Sequence, residues 1–345
     1  MEVIWYIILA FLIGTYIILD GYDLGAGMAY LLFPDTDEEK EKIINSIRSI
    51  WDANEVWLVA FMGLSYVIFP KFSSAIIHNF GGYIMLFFLF LLFKTLSFNL
   101  LVVFRNKPII KRLLGWSFGV FNFMLVVFIS LIFANILRGV FLENSNVNLA
   151  FVSQKFSPFT QNVGMFDWFT LLGGGATLIA ILIHGTVWVI LKNSGAFNRK
   201  LKKIVKGLAV IELIIIGLFL VAWYILHPEM MYYYWQLPFL FIFPILSFIS
   251  LVGLIGIRSY PGENKGFVLS TNMIIFSWIS VIIAIFPRFI FNLGDKELTL
   301  YNSGFQDFEG FHVKWWILVI ALVLLIYSIL VHKYVKGDTL KKKVA

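Results

Sequence analysis

The sequence predicts an all-α, polytopic integral membrane protein with about nine transmembrane helices. The first reason is composition, because 60% of the 345 residues are hydrophobic, only 14% are charged, and the mean hydropathy is +0.88. A soluble domain of this size would have too few polar residues to cover its exterior. The second reason is that apolar runs long enough to cross ~30 Å of hydrocarbon recur along the chain. Backbone amides in lipid must pair within their own segment, so these runs are expected to be helical.

Each apolar run predicts one membrane span. The runs fall at about 4–32, 53–73, 76–104, 110–137, 163–191, 203–227, 236–257, 266–291 and 312–334. We expect a single membrane domain over 1–345, with one four-helix bundle at about 1–138, a second at about 163–291, and a peripheral ninth helix at about 312–334. The first run lacks a preceding basic region, which favours a retained helix over a cleaved signal peptide.

The distribution of Lys and Arg predicts the orientation in the membrane. With nine spans, one set of loops and the C-terminus carries 20 of these residues and the other set carries six. The positive-inside rule places the richer set in the cytoplasm and the N-terminus outside, as in a multi-pass protein of a prokaryotic inner membrane. Because the basic residues lie in short loops, topology explains the net charge of +7 better than nucleic acid binding does. The absence of cysteine excludes disulfides, iron–sulfur clusters and thiolate haem ligation.

Carboxyl groups near the first two spans are the main functional candidates, because a charge at membrane depth costs about 2.5–3.5 kcal/mol on insertion scales. Asp20 and Asp23 are three residues apart and share a helix face. Asp20 lies ~24 Å from the outer end of its span, which places it in the inner half. Asp52 and Glu55 lie where the chain enters the second span. Carboxyl groups at successive depths on one side predict a cytoplasmic proton route through Asp20 and Asp52.

Structural roles remain open for the same residues. Asp52 could instead cap the N-terminus of the second span. Lys94 is the only Lys or Arg deep within an apolar run. An unpaired buried charge is expensive, so its predicted partner is a carboxylate such as Asp20 or Asp23, in a pair that is either structural or functional.

Helix-packing and surface features can also be read from the sequence. Gly21 and Gly25 form a small-xxx-small pair that should let another helix approach closely, and the glycines at 173–175 should do the same. Thr36 and Glu39 have capping-box spacing. Ile43, Ile44, Ile47, Ile50 and Trp51 recur after them at helical spacing, which predicts a short amphipathic helix lying flat at the cytoplasmic interface.

No residue of this chain is predicted to be catalytic, to bind a cofactor or to ligate a metal. His184 lies in the fifth span, and a lone His on an apolar helix is more often a hydrogen-bonded core residue than a haem ligand. Glu212 lies in the sixth span. Motifs of soluble enzymes, such as phosphate-binding glycine loops and nucleophile elbows, are absent from the sequence.

Two stretches carry a resemblance to a known family. Residues 19–28 (LDGYDLGAGM) and 51–58 (WDANEVWL) resemble the subunit II family of cytochrome bd quinol oxidases, with support from 298–303 (LTLYNS) and from His184-Gly185 before Trp188. Order, spacing and helix count agree over essentially the full chain. The sequence departs from the family pattern at Ala53, where Gly is usual, at Lys94, where Arg is typical, and at Asn99, where the family has an acidic residue. Lys keeps the charge but loses the bidentate fork of Arg.

The resemblance implies a subunit of a terminal oxidase that oxidises quinol and reduces dioxygen to water. It implies a heterodimer with a haem-bearing subunit I that holds haem b and haem d, and it leaves room for a small single-helix subunit and for a structural quinone or lipid in this chain. It also implies a proton path through the positions of Asp20 and Asp52, with Asp23 and Glu55 beside them. The alternatives are a secondary transporter or proton channel with buried carboxylates, and a structural subunit whose acids are all ion-paired.

Overall fold

The structure is a computed structural model that describes residues 2–48, 54–104, 106–139, 167–259, 262–290, 298–304 and 326. Helices dominate these residues, which confirms the all-α membrane prediction. The helices are α1 (Glu2–Leu32), α2 (Asp37–Ile47), α3 (Glu55–Ile68), α4 (Pro70–Val103), α5 (Pro108–Arg138), α6 (Trp168–Lys192), α7 (Ala196–Leu226), α8 (Tyr232–Gln236), α9 (Ile242–Ile255), α10 (Asn264–Ile285) and α11 (Leu300–Ser303). Short 3₁₀ turns cover Pro228–Met231, Pro238–Phe241 and Ile257–Ser259.

Seven of the described helices are long and apolar enough to cross a membrane, and α3 is apolar but only 14 residues long. Eight of the nine predicted runs thus coincide with helices. The ninth run, 312–334, lies outside the described residues except at Ile326, so the count of nine stays a prediction. The start of the third span was misplaced at 76, because α4 already begins at Pro70. Proline is favoured at the first position of a helix, where its missing N–H costs nothing.

Helix α1 is central to the packing. It contacts α3, α5, α6 and α10, while α4 packs on α5, α7 on α6, and α9 on α10. Contacts of α6 with both α1 and α5 join the two predicted four-helix bundles, and the division into two bundles stays a prediction. Strands β1 (Arg288–Ile290) and β2 (Leu298–Thr299) form a small antiparallel pair, with Arg288 opposite Thr299 and Ile290 opposite Leu298.

The contact between α1 and α6 depends on glycine. A Cβ placed on Gly25 would lie 2.1 Å from the carbonyl oxygen of Ile181, and one on Gly185 would lie 2.1 Å from the amide nitrogen of Ala26. A Cβ on Gly21 would lie 3.0 Å from Cδ1 of Ile181. The predicted close approach at Gly21 and Gly25 is confirmed, and it fixes the position of the acidic residues of α1 relative to α6.

The predicted amphipathic segment is helix α2. The hydroxyl of Thr36 accepts a hydrogen bond from the amide of Glu39 at 3.2 Å, as in a capping box, but the Glu39 carboxylate accepts from the amide of Asp35 at 2.8 Å instead of from Thr36. Ile43, Ile44 and Ile47 are buried against the rest of the chain. Ile50 and Trp51 lie outside the described residues, and the orientation of α2 at a membrane surface stays a prediction.

Candidate functional site

Lys94 is buried between helices α1 and α3, although it belongs to α4. Its Nζ atom lies 3.2 Å from Oε1 of Glu55 and 3.6 Å from Oδ1 of Asp20. The side chains of Lys94 and Asp20 are 1% and 0% exposed, and that of Glu55 is 23% exposed. A carboxylate partner from α1 was predicted, and Asp20 is that partner. The pairing with Glu55 was not predicted, because it depends on how α3 packs against α4.

Asp23 is held by a side chain from the start of α3. The Nδ2 atom of Asn54 donates to Oδ2 of Asp23 at 2.7 Å, and it also lies 3.1 Å from Oη of Tyr22 and 3.0 Å from the carbonyl oxygen of Leu19. Asn54 occupies the N-cap position of α3 but makes no side-chain cap to its own helix. Its amide is therefore committed to α1, and it ties the two carboxyl-bearing helices together.

Two carboxyl groups pair with the ammonium group of Lys94, and a third, that of Asp23, interacts with it electrostatically while bonded to Asn54. Asp20, Asp23 and Glu55 would carry three negative charges against the single positive charge of Lys94. Both carboxyl oxygens of Asp20, and Oδ1 of Asp23, are buried without a hydrogen-bond partner among the described residues. Buried polar oxygens are normally satisfied, so these oxygens can accept hydrogen bonds from water or from groups outside the described ranges.

Asp52 lies outside the described residues, together with the rest of 49–53. Its predicted proton relay is therefore not resolved by the geometry, whereas the N-cap position of α3 that the capping alternative requires is occupied by Asn54. The structure brings together the other four predicted residues: Asp20 and Glu55 on Lys94, and Asp23 on Asn54. Asn99, one of the departures from the family pattern, is exposed on α4.

Sequence reasoning missed the role of Asn54. The residue stands next to Glu55 in a stretch already selected for its acids, and its amide can donate two hydrogen bonds. An amide flanked by acids at the start of an apolar run is the signal that could have identified it. The contribution of Tyr22 has no such signal, because an aromatic residue on an apolar helix is usually a core residue.

His184 is a hydrogen-bonded core residue, as predicted. Its Nδ1 lies 2.9 Å from Oγ of Ser270, its Nε2 lies 3.1 Å from the carbonyl oxygen of Ile18, and its ring stacks on Phe267. At the other end of the bundle, both ring nitrogens of His227 are likewise hydrogen bonded. Neither ring therefore has a free nitrogen for a haem iron. Within the described ranges, no group of three or more His, Cys, Asp or Glu residues could hold a metal ion.

A large apolar cavity occupies the centre of the helical domain. Its volume is about 830 Å³, and it is lined by α1, α3, α4, α5, α6, α7 and α10. Glu212 of α7 reaches it, and the Oε2 atom of Glu212 is buried with no hydrogen-bond partner in the described part of the chain. The cavity has the size and lining of a site for a hydrophobic molecule.

The family described as "Cytochrome bd terminal oxidase subunit II" matches residues 1–335. The chain belongs to this family. The resemblance carried by residues 19–28 and 51–58 is therefore confirmed.

Two named relatives give the extent of sequence similarity. The chain is 25% identical over 222 residues to cytochrome bd-I ubiquinol oxidase subunit 2 of Escherichia coli strain K12, which covers 63% of this chain and 56% of that protein. It is 26% identical over 204 residues to cytochrome bd ubiquinol oxidase subunit 2 of Bacillus subtilis strain 168, covering 58% of this chain and 56% of that protein. The chain thus matches just over half the length of these relatives.

A solved structure confirms the fold of the subunit II chain. The chain superposes with a TM-score of 0.73 on a chain from the structure of bd oxidase from Geobacillus thermodenitrificans. The alignment covers 98% of both chains at 16% sequence identity. At this identity the similarity concerns the fold alone.

Proposed function

We propose that this chain is the non-haem subunit of a quinol:dioxygen oxidoreductase and supplies protons to it from the cytoplasm. In that reaction two quinols are oxidised to quinones while one dioxygen takes up four electrons and four protons to form two waters. Family membership supports the oxidase, and the relatives from E. coli and B. subtilis, both subunits of ubiquinol oxidases, support a ubiquinol-type donor. The chain would work as part of a complex in the prokaryotic cell membrane.

The observation that carries the proton role is the buried cluster around Lys94. Asp20, Asp23 and Glu55 together exceed its single positive charge by two. A net charge of that size is costly at low dielectric, and binding a proton reduces it. The side chain of Glu55 is partly exposed while that of Asp20 is fully buried. The cluster therefore leads from an accessible carboxyl group into the protein interior. Asp52, two residues before Asn54, would extend the route from Glu55 toward the cytoplasm.

The direction of the route follows from charge. The loops at the Glu55 end of the bundle belong to the set that carries 20 Lys and Arg residues against six in the other set. The positive-inside rule makes that end cytoplasmic, with the N-terminus outside. Protons would then enter at Asp52 and Glu55 and pass to Asp20 and Asp23.

The haems are proposed to lie in the partner subunit I. His184 and His227 have both ring nitrogens engaged, so neither of these two side chains is offered as a haem ligand. The apolar cavity beside Glu212 would hold the structural quinone or lipid. The chain's other contribution is assembly with subunit I, and a small single-helix subunit could join the complex.

The proton role is tested by removing charge without changing shape. Asp20→Asn and Asp52→Asn should each lower oxygen consumption by the purified complex at least about tenfold, while leaving the haem absorbance spectrum unchanged. Asp37→Asn, at an exposed acid of α2, is the matched control and should keep normal turnover. Normal turnover in both the Asp20 and the Asp52 variant would remove the relay role and favour a structural subunit.

The haem absorbance spectrum of the purified protein tests the transporter alternative. A complex purified through this chain from its native membranes should show haem d in a reduced-minus-oxidised spectrum. A colourless protein consisting of this chain alone would contradict the oxidase assignment and support a transporter. Buried carboxylates are common to both classes, so the spectrum and not the site geometry separates them.

A further inference from the structure

Helix α7 carries basic residues at the level where the hydrocarbon layer begins. Its 31 residues give a length of ~46 Å at 1.5 Å per residue, which exceeds the ~30 Å hydrocarbon thickness by the length of about ten residues. All five Lys and Arg residues of α7 lie in its first eleven residues, and a stretch that is apolar except for Glu212 follows. Lys206 is the last cation before that apolar part, so it marks the boundary between headgroups and acyl chains.

A concave surface connects Lys206 to the end of α9. This surface, called the α7–α9 groove, has a volume of about 580 Å³ and is lined by Lys206, Val252, Ile255, Gly256, Arg258 and Ser259. Arg258 and Ser259 belong to the 3₁₀ turn Ile257–Ser259, which follows α9 and packs on α7. Two cations and one hydroxyl thus border one groove at the membrane boundary.

The charge of the groove is not neutralised by the described residues. Lys206 and Arg258 are exposed, and neither forms an ion pair within the described ranges. The carboxylate of Glu263, five residues after Arg258, forms an ion pair with Lys202 instead, with 2.9 Å between Oε2 and Nζ. Tyr260 and Pro261, which follow Ser259 and lie outside the described residues, are not acidic. The groove therefore offers two positive charges to an anion.

Below the cations the groove opens onto an apolar surface that faces outward. On α9, Val252 and Ile249 are 43% and 55% exposed, and on α7, Val210 and Ile214 are 39% and 59% exposed. On each helix these positions are three or four residues apart, so they form two parallel apolar strips that run toward the membrane centre. An acyl chain can lie along such strips.

We propose that the α7–α9 groove binds the headgroup of an anionic phospholipid, with its phosphate between Lys206 and Arg258 and an acyl chain along the two apolar strips. Arg recognises a phosphate with two parallel N–H donors, and Lys contributes a point charge on a flexible stem. Ser259 can donate one further hydrogen bond to a headgroup oxygen. The lipid would anchor the outer face of α7 and α9, independently of any proton role at Lys94.

Native mass spectrometry of the detergent-purified full-length complex tests this site. The complex is titrated with phosphatidylglycerol and, separately, with phosphatidylcholine. The double variant Lys206→Gln, Arg258→Gln should weaken phosphatidylglycerol binding at least about tenfold, because each basic contact with an anionic lipid is lost. Lys206→Arg should retain it. The matched control is Lys107→Gln with Arg112→Gln, two exposed cations on α5 and the turn before it, and it should change binding less than about twofold.

Three results would overturn the proposal. The first is unchanged phosphatidylglycerol binding by the double variant, provided that it elutes and melts like the unmodified complex. The second is equal loss in the α5 control pair, which would show general surface charge. The third is displacement of the lipid by excess inorganic phosphate, which would show a free-anion site that does not use the apolar strips.

Discussion

Gly25 of α1 and Gly185 of α6 face each other in backbone-to-backbone contact. A Cβ built on Gly185 would lie 2.1 Å from the carbonyl carbon of Gly25 and 2.1 Å from the amide nitrogen of Ala26. Backbone atoms at this distance cannot move aside as a flexible side chain would. The contact also sets the position of Asp20 and Asp23, which lie within two turns of Gly25 on the same helix.

We expect Gly185→Ala to destabilise the chain by about 3 kcal/mol, because α1 and α6 would have to separate. Gly175→Ala on the same helix is the matched control, since a Cβ at Gly175 meets nothing within 4 Å. The close packing predicted for the glycines at 173–175 is therefore wrong at Gly175. It should be neutral or slightly stabilising, because Ala is the better helix former. Thermal unfolding of the purified complex measures both. A Gly185→Ala variant as stable as the control would show that the helices do not approach this closely.

Removing the charge of Lys94 should destabilise the fold more than removing the charge of Asp20. Lys94→Met leaves Asp20 buried without its counter-ion, which is expected to cost about 3–5 kcal/mol. Lys94→Arg keeps the charge and should cost less. The yield and thermal midpoint of the assembled complex give the order of stability. Equal stability of the Met and unmodified proteins would contradict a buried ion pair.

A double-mutant cycle then separates pairing from burial. Asp20→Asn combined with Lys94→Met removes both charges, and the double variant should be more stable than Lys94→Met alone. Glu55 remains as a second partner of Lys94 at 3.2 Å, so Asp20→Asn alone should be tolerated. Additive effects of the two substitutions would show that Asp20 and Lys94 do not interact.

Asn54→Ala should cost about 1–3 kcal/mol, because Oδ2 of Asp23 loses the donor that lies 2.7 Å away and remains buried. Asn79→Ala is the matched control, since the amide of Asn79 donates to the carbonyl oxygen of Ala75 within its own helix. The free energy of unfolding in denaturant measures both. If both variants lose the same stability, the link between α1 and α3 is not specific.

The burial of Tyr234, at the end of the bundle opposite Glu55, predicts that the stability of the fold depends on pH in the alkaline range. Burial raises the pKa of this Tyr to about 12, above the value of ~10 in an unfolded chain, while its hydroxyl donates to the carbonyl oxygen of Ser280 at 2.9 Å. Between pH 10 and 12 the unfolded chain loses the proton first, so this stabilising contribution is complete below pH 10 and declines as pH rises toward 12.

Tyr234→Phe should therefore reduce the fall in thermal midpoint between about pH 10 and 12. The exposed neighbour Tyr232, whose side chain is 57% accessible, serves as the control when changed to Phe. Identical pH profiles for Tyr234→Phe and the unmodified protein would contradict the burial of this hydroxyl.

Most of the helical architecture was predictable because lipid leaves the backbone few choices. Apolar length and the need to pair amides located the long helices, and the small-xxx-small spacing located the contact at Gly21 and Gly25. Helix ends were less predictable, as at Pro70, where the chain turns after a single residue between α3 and α4. The proline decides where that helix begins, whereas a hydropathy profile averages over many residues and does not locate the boundary.

The candidate site was predictable in its charges but not in its pairings. The cost of a buried ammonium group required a carboxylate beside Lys94, and Asp20 was one of the two carboxylates proposed. The choice between Asp20 and Asp23, and the addition of Glu55, depends on the rotation of α1 and α3 about their axes. Neutral partners such as Asn54 carry no burial cost that would mark them in advance.

The length of α3 has an electrical consequence. Its 14 residues span ~21 Å, which is ~9 Å less than the hydrocarbon thickness, and Glu55 lies at one end. Bilayers thin where a helix is too short, so headgroups and water would descend toward Glu55. The membrane voltage, worth ~2.3 kcal/mol per charge per 100 mV, would then fall mainly across the layer beyond this residue. The proposed uptake of protons at Glu55 should consequently respond weakly to voltage, and the proposed transfer from Glu55 to Asp20 should carry most of the electrical work.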